Sequence, residues 1–266
     1  MAPGGRASNI PDVDHAQHCD LLAEEVGRYA AAIQGAAMDL AVASCPGWSL
    51  WDLTAHLGTV HRWAEHLVRV LAPERISSKA MRLGEPEPSA AWLRCGGEML
   101  VATLRQADPG APMWAWGADQ HVRFWSRRQL HETLVHRMDA ELALGRSPTA
   151  GSVVAADAID EFLGNLSRAA YFSPRVKDLR GEGDRLAVRL SDGDQGWVIK
   201  LHPEGFEVSR GTAATAGAVG ADALLTGPAV SLLLVLYRRL PLSTSDVTAT
   251  GEAGLIGSWL ANSALE

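Results

Sequence analysis

Arg127 to Glu141 reads Arg-Arg-Gln-Leu-His-Glu-Thr-Leu-Val-His-Arg-Met-Asp-Ala-Glu. No glycine or proline interrupts it, so nothing within it argues against a continuous helix. At about 3.6 residues per turn, positions four apart stack on one face. Glu132 and His136 therefore point the same way, a carboxylate and an imidazole one turn apart. A helix offers two ligands to a borderline metal such as zinc in this way. His131 lies about 100° around the helix from Glu132 and does not join the pair. The spacing is not that of the zinc-protease motif His-Glu-x-x-His, because these two histidines are five apart. The same residues also suit an amphipathic helix with a charged outer face. The stretch alone leaves both readings open, and a second site element must decide between them.

Upstream, apolar residues at helical spacing over Asp14 to Gln34 (Leu21, Leu22, Val26, Tyr29, Ala30, Ile33) predict a first helix that stops at Gly35. The turn Ser44-Cys45-Pro46-Gly47-Trp48-Ser49 follows, with Ser49 as N-cap of a second helix from Leu50 to about Leu71. Leu53, Leu57, Val60, Trp63, Leu67 and Val70 form its apolar stripe. His56 borders that stripe, and small Gly58 lets a neighbour approach closely. His61 and His66 follow at five-residue steps, so the three histidines fan around the helix and make no joint site. Cys45 reads as a packing residue. Ala72 to Pro88 is a polar crossing, and Ala90 to Gln106 reads as a third helix. The turn-rich loop Asp108 to Gly117 carries Trp114 and Trp116, which either wall a pocket or simply pack. Trp125 is the expected start of the fourth helix, and Gly145 and Pro148 end it. Gly151 to Phe172 reads as a fifth helix. Four or five helices with short connections predict a helical bundle.

From Arg175 the period changes to two. Asp184 to Leu190 alternates as a half-buried strand, Asp192-Gly193-Asp194 turns, and Gly196 to His202 returns. Further strands are expected over Gly205 to Arg210, Asp222 to Thr226 and Val247 to Thr250. An apolar helix runs from Gly227 to Leu240 and a closing helix from Glu252 to Leu260. The fold class is therefore α+β in two domains, a helical bundle over 10–172 and a small α+β domain over 178–264.

With 47% hydrophobic and 21% charged residues, the composition is that of an ordinary globular protein. A net charge of −7 argues against nucleic acid or an anionic membrane as the main partner. Three scattered cysteines, with no Cys-x-x-Cys, indicate neither a disulfide framework nor a zinc knuckle. The N-terminal Met-Ala-Pro-Gly-Gly-Arg lacks an apolar signal core, and the apolar run Ala229 to Tyr237 is too short to span a bilayer. A cytoplasmic location is expected.

Three stretches carry a resemblance. One is Cys45-Pro46-Gly47-Trp48-Ser49 leading to Asp52-Leu53-Thr54-Ala55-His56-Leu57-Gly58 and His61-Arg62-Trp63. A second is Phe124-Trp125-Ser126-Arg127-Arg128 running into His131-Glu132 and Val135-His136-Arg137-Met138-Asp139-Ala140-Glu141. The third is Leu225-Thr226-Gly227 with the Leu-rich helix that ends in Arg238-Arg239. In order and spacing the chain resembles the mycothiol-dependent maleylpyruvate isomerase family of actinobacteria, whose helical domain is a DinB-like metal-binding four-helix bundle.

The resemblance implies a zinc ion held by His56, Glu132 and His136, three protein ligands with a fourth position open, as in catalytic zinc sites. Nickel, cobalt or iron would suit the same set. It also implies mycothiol as thiol cosubstrate, whose thiolate adds to a conjugated double bond, allows rotation and leaves; other members with this bundle transfer the thiol to an electrophile. Arg239, with Arg238 as the adjacent alternative, would fix a substrate carboxylate, although both also suit the charged end of an amphipathic helix. His61 and His131 are expected to line the pocket, and Asp139, three positions after His136, to orient that ring. The function implied is a zinc-dependent, mycothiol-using enzyme acting on a small electrophilic, carboxylate-bearing substrate, as isomerase or thiol S-transferase. Two other readings stay open: a non-catalytic metal-binding or ligand-sensing module, and a biosynthetic enzyme that keeps the metal site for a thiol-independent reaction. A purely structural bundle would fill the three ligand positions with apolar residues.

Overall fold

The structure is a computed structural model and describes residues 13–81, 88–218 and 220–265. The expected lack of a signal core over 1–10, the first residues of the expected bundle (10–12) and part of the polar crossing (82–87) lie outside the described residues. The chain divides into two compact units, one of Val13–Thr149 and one from Ala150 onward. The boundary expected at 172–178 thus moves upstream to residue 149, and the fifth helix belongs with the sheet.

The first unit holds α1 (His15–Ile33), α2 (Leu50–Arg69), α3 (Ala90–Gln106) and α4 (Val122–Ala143). Local chemistry sets their limits. Asp14 and Gln17 form a capping box on α1, Ser49 and Asp52 form one on α2, and Ser89 caps α3. Gly35 (φ +73°) and Gly145 (φ +69°) follow α1 and α4 in the left-handed conformation that ends helices. α4 begins at Val122, three residues before the expected Trp125, because His121 already adopts the extended N-cap conformation.

α1 and α2 each pack against both α3 and α4, which completes a four-helix bundle. Gly58 is required on α2, since a Cβ there would lie 2.0 Å from the Trp92 ring of α3. α4 is buried along nearly its whole length, including Arg128, Gln129, His131, Thr133, Arg137 and Asp139. Apart from the exposed Arg123, its charged residues are buried or half-buried and find partners there, as buried polar groups must. Arg137, fully buried, donates from Nε to Glu25 on α1, from Nη1 to Glu141 Oε2 (2.6 Å) and from Nη2 to the Thr149 carbonyl (2.8 Å).

The second unit comprises α5 (Ser152–Asn165), β1 (Arg185–Leu190), β2 (Gln195–His202), β3 (Gly205–Thr212), α6 (Ala213–Ala218), β4 (Ala223–Gly227), α7 (Ala229–Leu236), β5 (Thr248–Gly251) and α8 (Ala253–Asn262). The sheet order is β3-β2-β1-β4-β5, parallel between β1 and β4 and antiparallel elsewhere. α5 stops at Asn165 and continues only as 3-10 turns, shorter than the expected helix to Phe172. It packs on α7, with the rings of Phe162 and Tyr237 4.6 Å apart, while Asp160 accepts from the Trp197 indole at 2.9 Å. These contacts place α5 in this unit. The short α6, rich in alanine, has no counterpart in the sequence reading. Among the described residues no helix is long and apolar enough to cross a membrane.

Candidate metal centre

α2 contributes His56, and α4 contributes Glu132 and His136. His56 Nε2 lies 3.2 Å from Glu132 Oε1, and His136 Nε2 lies 3.3 Å from the same oxygen. One ligand atom from each residue falls within 4.8 Å of the other two. In a tetrahedral site with metal–ligand distances of about 2.0–2.1 Å, neighbouring ligand atoms stand about 3.3–3.4 Å apart. Both distances to Glu132 match that edge.

The hydrogen-bond pattern calls for a cation between these atoms. His136 Nδ1 donates to Asp139 Oδ2 at 2.9 Å. A neutral ring with that tautomer turns a bare lone pair at Nε2 toward a carboxylate oxygen, which is repulsive unless a proton or metal ion lies between them. In the metal-free cluster the proton fills the gap. Burial disfavours the charged ring, but Asp139, Cys45 and Glu132 outweigh it and hold His136 well above the usual histidine range. Burial likewise pushes Glu132 up, yet hydrogen bonds from His136 and His56 and the charge of Arg128 keep its carboxyl well below the usual range. Arg128 Nη2 approaches Glu132 Oε2 at 3.3 Å, which leaves Oε1 to face the imidazoles. The side chains of His56 and Glu132 keep 36% and 24% of their exposure, so one side of the cluster stays open. Two imidazoles and a carboxylate with an open side suit a divalent borderline metal.

The other expected site residues fall elsewhere. Asp139 sits beside His136, fully buried. His61 and His131 are also fully buried, so neither faces an open pocket. Thr133 Oγ1 donates to the Gln129 carbonyl at 2.7 Å and so accepts from His61 Nε2 at 2.9 Å. Burial drives the His61 pKa down to about 3, keeping the ring neutral. Trp114 packs edge-on against Trp63 (6.1 Å) and beside Trp125 (5.9 Å), and Trp116 edge-on against Phe124 (5.5 Å). Both rings are packed in this way and stay half-buried. Arg238 and Arg239 follow α7 in the second unit, Arg238 exposed at φ +58° and Arg239 donating from Nη1 to the Tyr237 carbonyl at 2.9 Å. The sequence reading missed Arg128, although its place four residues before Glu132 was the available signal. It also missed the contacts of Ser44 and Cys45 with Asp139, and of Trp48 with His56, whose rings lie 5.0 Å apart.

A four-helix bundle presenting a His/Glu/His cluster, followed by a small α+β unit, defines the class of protein. The chain belongs to the mycothiol-dependent maleylpyruvate isomerase family: residues 19–141 match the model of the mycothiol maleylpyruvate isomerase N-terminal domain, and residues 153–258 that of the MDMPI C-terminal domain. Among solved structures it is similar to a crystal structure of the mycothiol-dependent maleylpyruvate isomerase, at 13% identity and a TM-score of 0.55, covering 90% of this chain and 93% of the other. A histidine-to-alanine variant of a mycothiol-dependent maleylpyruvate isomerase matches equally well, at 14% identity and the same TM-score of 0.55. At these identities the likeness concerns the fold. No match was found among curated proteins.

Proposed function

We propose that the chain is a zinc-dependent, mycothiol-using enzyme acting on a small electrophilic, carboxylate-bearing substrate, as a cis–trans isomerase of the maleylpyruvate type or a thiol S-transferase. The observation that carries this reading is the convergence of His56 Nε2 and His136 Nε2 on Glu132 Oε1, at 3.2 and 3.3 Å, in a chain of this family. A divalent metal at such a site lowers the pKa of a thiol that coordinates it, so that the nucleophilic thiolate forms near neutral pH.

The chain's own residues prepare the site. Asp139 fixes the His136 tautomer and ring plane, leaving Nε2 as the ligand atom. Arg128 holds the far oxygen of Glu132. The half-open side of the cluster leaves room for thiol and substrate beside the three ligands. Arg239 keeps the role that the family resemblance gives it, holding the substrate carboxylate, with Arg238 as the alternative. Arg239→Ala is then expected to raise KM for an acidic substrate and leave metal content unchanged. The reading includes a cytoplasmic location, where thiols stay reduced.

The test begins with metal content in protein purified without chelator, wild type beside His136→Ala. About one zinc per chain, lost in the variant, is expected, followed by mycothiol-dependent turnover of maleylpyruvate or a related unsaturated acid. Recovery of unchanged thiol identifies isomerisation, and a stable thioether identifies transfer. Wild-type protein that folds normally yet takes up no added zinc overturns the mechanism.

A further inference from the structure

Outside the three ligands, one short segment touches both sides of the cluster. Residues 41–50 form a closed turn: Cys45 N donates to Val42 O (2.9 Å), Trp48 N to Cys45 O (3.0 Å) and Val42 N to Trp48 O (2.9 Å), with Leu50 N on Leu40 O (2.8 Å) where α2 begins. Pro46 restricts the backbone, and Gly47 supplies the φ of +85° that the turn needs. The segment is a stiff platform, and three of its side chains project onto the site.

Ser44 Oγ donates to Asp139 Oδ1 at 2.6 Å. Cys45 Sγ donates to Asp139 Oδ2 at 3.6 Å, the oxygen that also accepts from His136 Nδ1. Asp139 is fully buried, so its carboxylate takes its orientation from these donors. The indole of Trp48 lies against the ring of His56, centroids 5.0 Å apart. From these contacts we propose that the Ser44–Trp48 turn is a positioning clamp for the two metal-binding imidazoles, setting His136 through Asp139 and His56 through direct ring contact. The proposal rests on the metal-centre reading and adds to it residues that hold the ligands without being ligands. A site held loosely by its supporting groups loses affinity even when every ligand is present.

Cys45 invites a rival assignment, because its sulfur, a carboxylate oxygen of Asp139 and a ring nitrogen of His136 also lie within 4.8 Å of one another. The clamp reading is favoured because His136 Nδ1 and Cys45 Sγ both already donate to Asp139.

Cobalt(II) titration of the full chain against a competing chelator separates these assignments, with the absorption spectrum and the metal-free melting temperature recorded in parallel. The Ser44→Ala/Cys45→Ala double variant is expected to bind cobalt about 10–100-fold more weakly and to show shifted ligand-field bands. Cys45→Ser retains a donor and should restore most of the loss in an otherwise wild-type turn. Trp48→Ala should weaken binding, and Trp48→Phe should bind close to wild type. A merely structural role would lower the melting temperature and leave the affinity and spectrum of the folded protein unchanged; that result overturns the clamp. So does a sulfur-to-cobalt charge-transfer band in wild type that vanishes in Cys45→Ala, which would make Cys45 a ligand. Should the double variant not fold, Ser44→Ala and Trp48→Phe/Trp48→Ala carry the same comparison. Wild-type protein that binds no cobalt defeats the metal reading and the clamp with it, whereas equal binding by wild type and variants defeats the clamp alone.

Discussion

Two polar clusters lie about one turn apart on α4, and they do different work. Around Arg137, the guanidinium is fully buried and every nitrogen has an acceptor: Glu25, Glu141 and the Thr149 carbonyl. Arg28 adds a second cation on Glu25 (2.9 Å) and on Thr149 O (2.7 Å). Around Glu132, two imidazole nitrogens converge on one carboxylate oxygen and part of the cluster stays exposed. The first cluster is closed by its own permanent cation. In the second, Arg128 takes only Oε2 of Glu132, and Oε1 is left facing two imidazole nitrogens. Both appear in the sequence as charged residues on one helix, and only the closure of the partners tells a stabilising network from a binding site.

The largest effect is expected at Arg137. Arg137→Ala leaves Glu25 and Glu141 without their shared counter-charge, and Glu25 is itself buried. Removing one partner of a buried ion pair costs about 3–5 kcal/mol. Arg28 still pairs with Glu25, so the lower part of that range is expected. Denaturant unfolding of the metal-free variant measures it. A loss no larger than that of an exposed pair, about 0–1 kcal/mol, would mean that the network is solvated in solution and that the contrast with the Glu132 cluster is false.

The Glu132 cluster should also respond to pH. His136 is held well above the ordinary histidine value of 6.5, despite burial, by Asp139, Cys45 and Glu132. Its contribution to the metal-free protein is full below 6.5 and is lost as pH rises through the raised value. Glu132 has the opposite sign: its contribution is present above 4.5 and is lost as pH falls through the lowered value. The melting temperature of metal-free protein should therefore decline as pH rises above neutrality. On the proposed reading, a metal ion bound at His136 displaces its proton, so added zinc should stabilise the protein more over the same interval. A zinc-induced gain that is flat with pH would show that His136 carries no proton to displace.

Legibility in the sequence follows the range of each interaction. Glu132 and His136 stand out because a helix turns four-residue spacing into adjacency, and Asp139 follows by the same rule. Arg128 was equally accessible by spacing, one turn before Glu132. His56 required the family resemblance, since nothing local marks it off from His61 on the same helix. The contacts of Ser44 and Cys45 with Asp139 span 95 and 94 residues, and no periodicity encodes such a pairing. The fold shows the same division. Alternation located β1, apolar spacing located α1, and the Ser49 cap located the start of α2, each within a few residues. The allegiance of α5 was not readable, because a periodic stripe tells which face is buried and not what buries it. His61 and His131 entered as pocket residues through the resemblance; His131 is buried with most of α4, and His61, on α2, packs onto Thr133 of that helix, a contact that spacing does not encode.

The smallest effect separates two serines of one turn. Ser49 ends the segment that Ser44 opens, yet its hydroxyl accepts from Asp52 N (3.3 Å), and the Asp52 carboxylate returns to Ser49 N (2.9 Å). That capping box satisfies the first turn of α2 and touches no candidate ligand. Ser49→Ala should cost about 1 kcal/mol of stability and leave cobalt affinity within experimental error of wild type, because His56 lies two turns into a helix that Leu53 and Leu57 anchor in the core. Ser44→Ala should behave the other way, with a smaller change in stability and weaker metal binding. Comparable loss of metal affinity in both serine variants would mean that any disturbance of the turn reaches the site, and that the hydrogen bond from Ser44 to Asp139 has no special role.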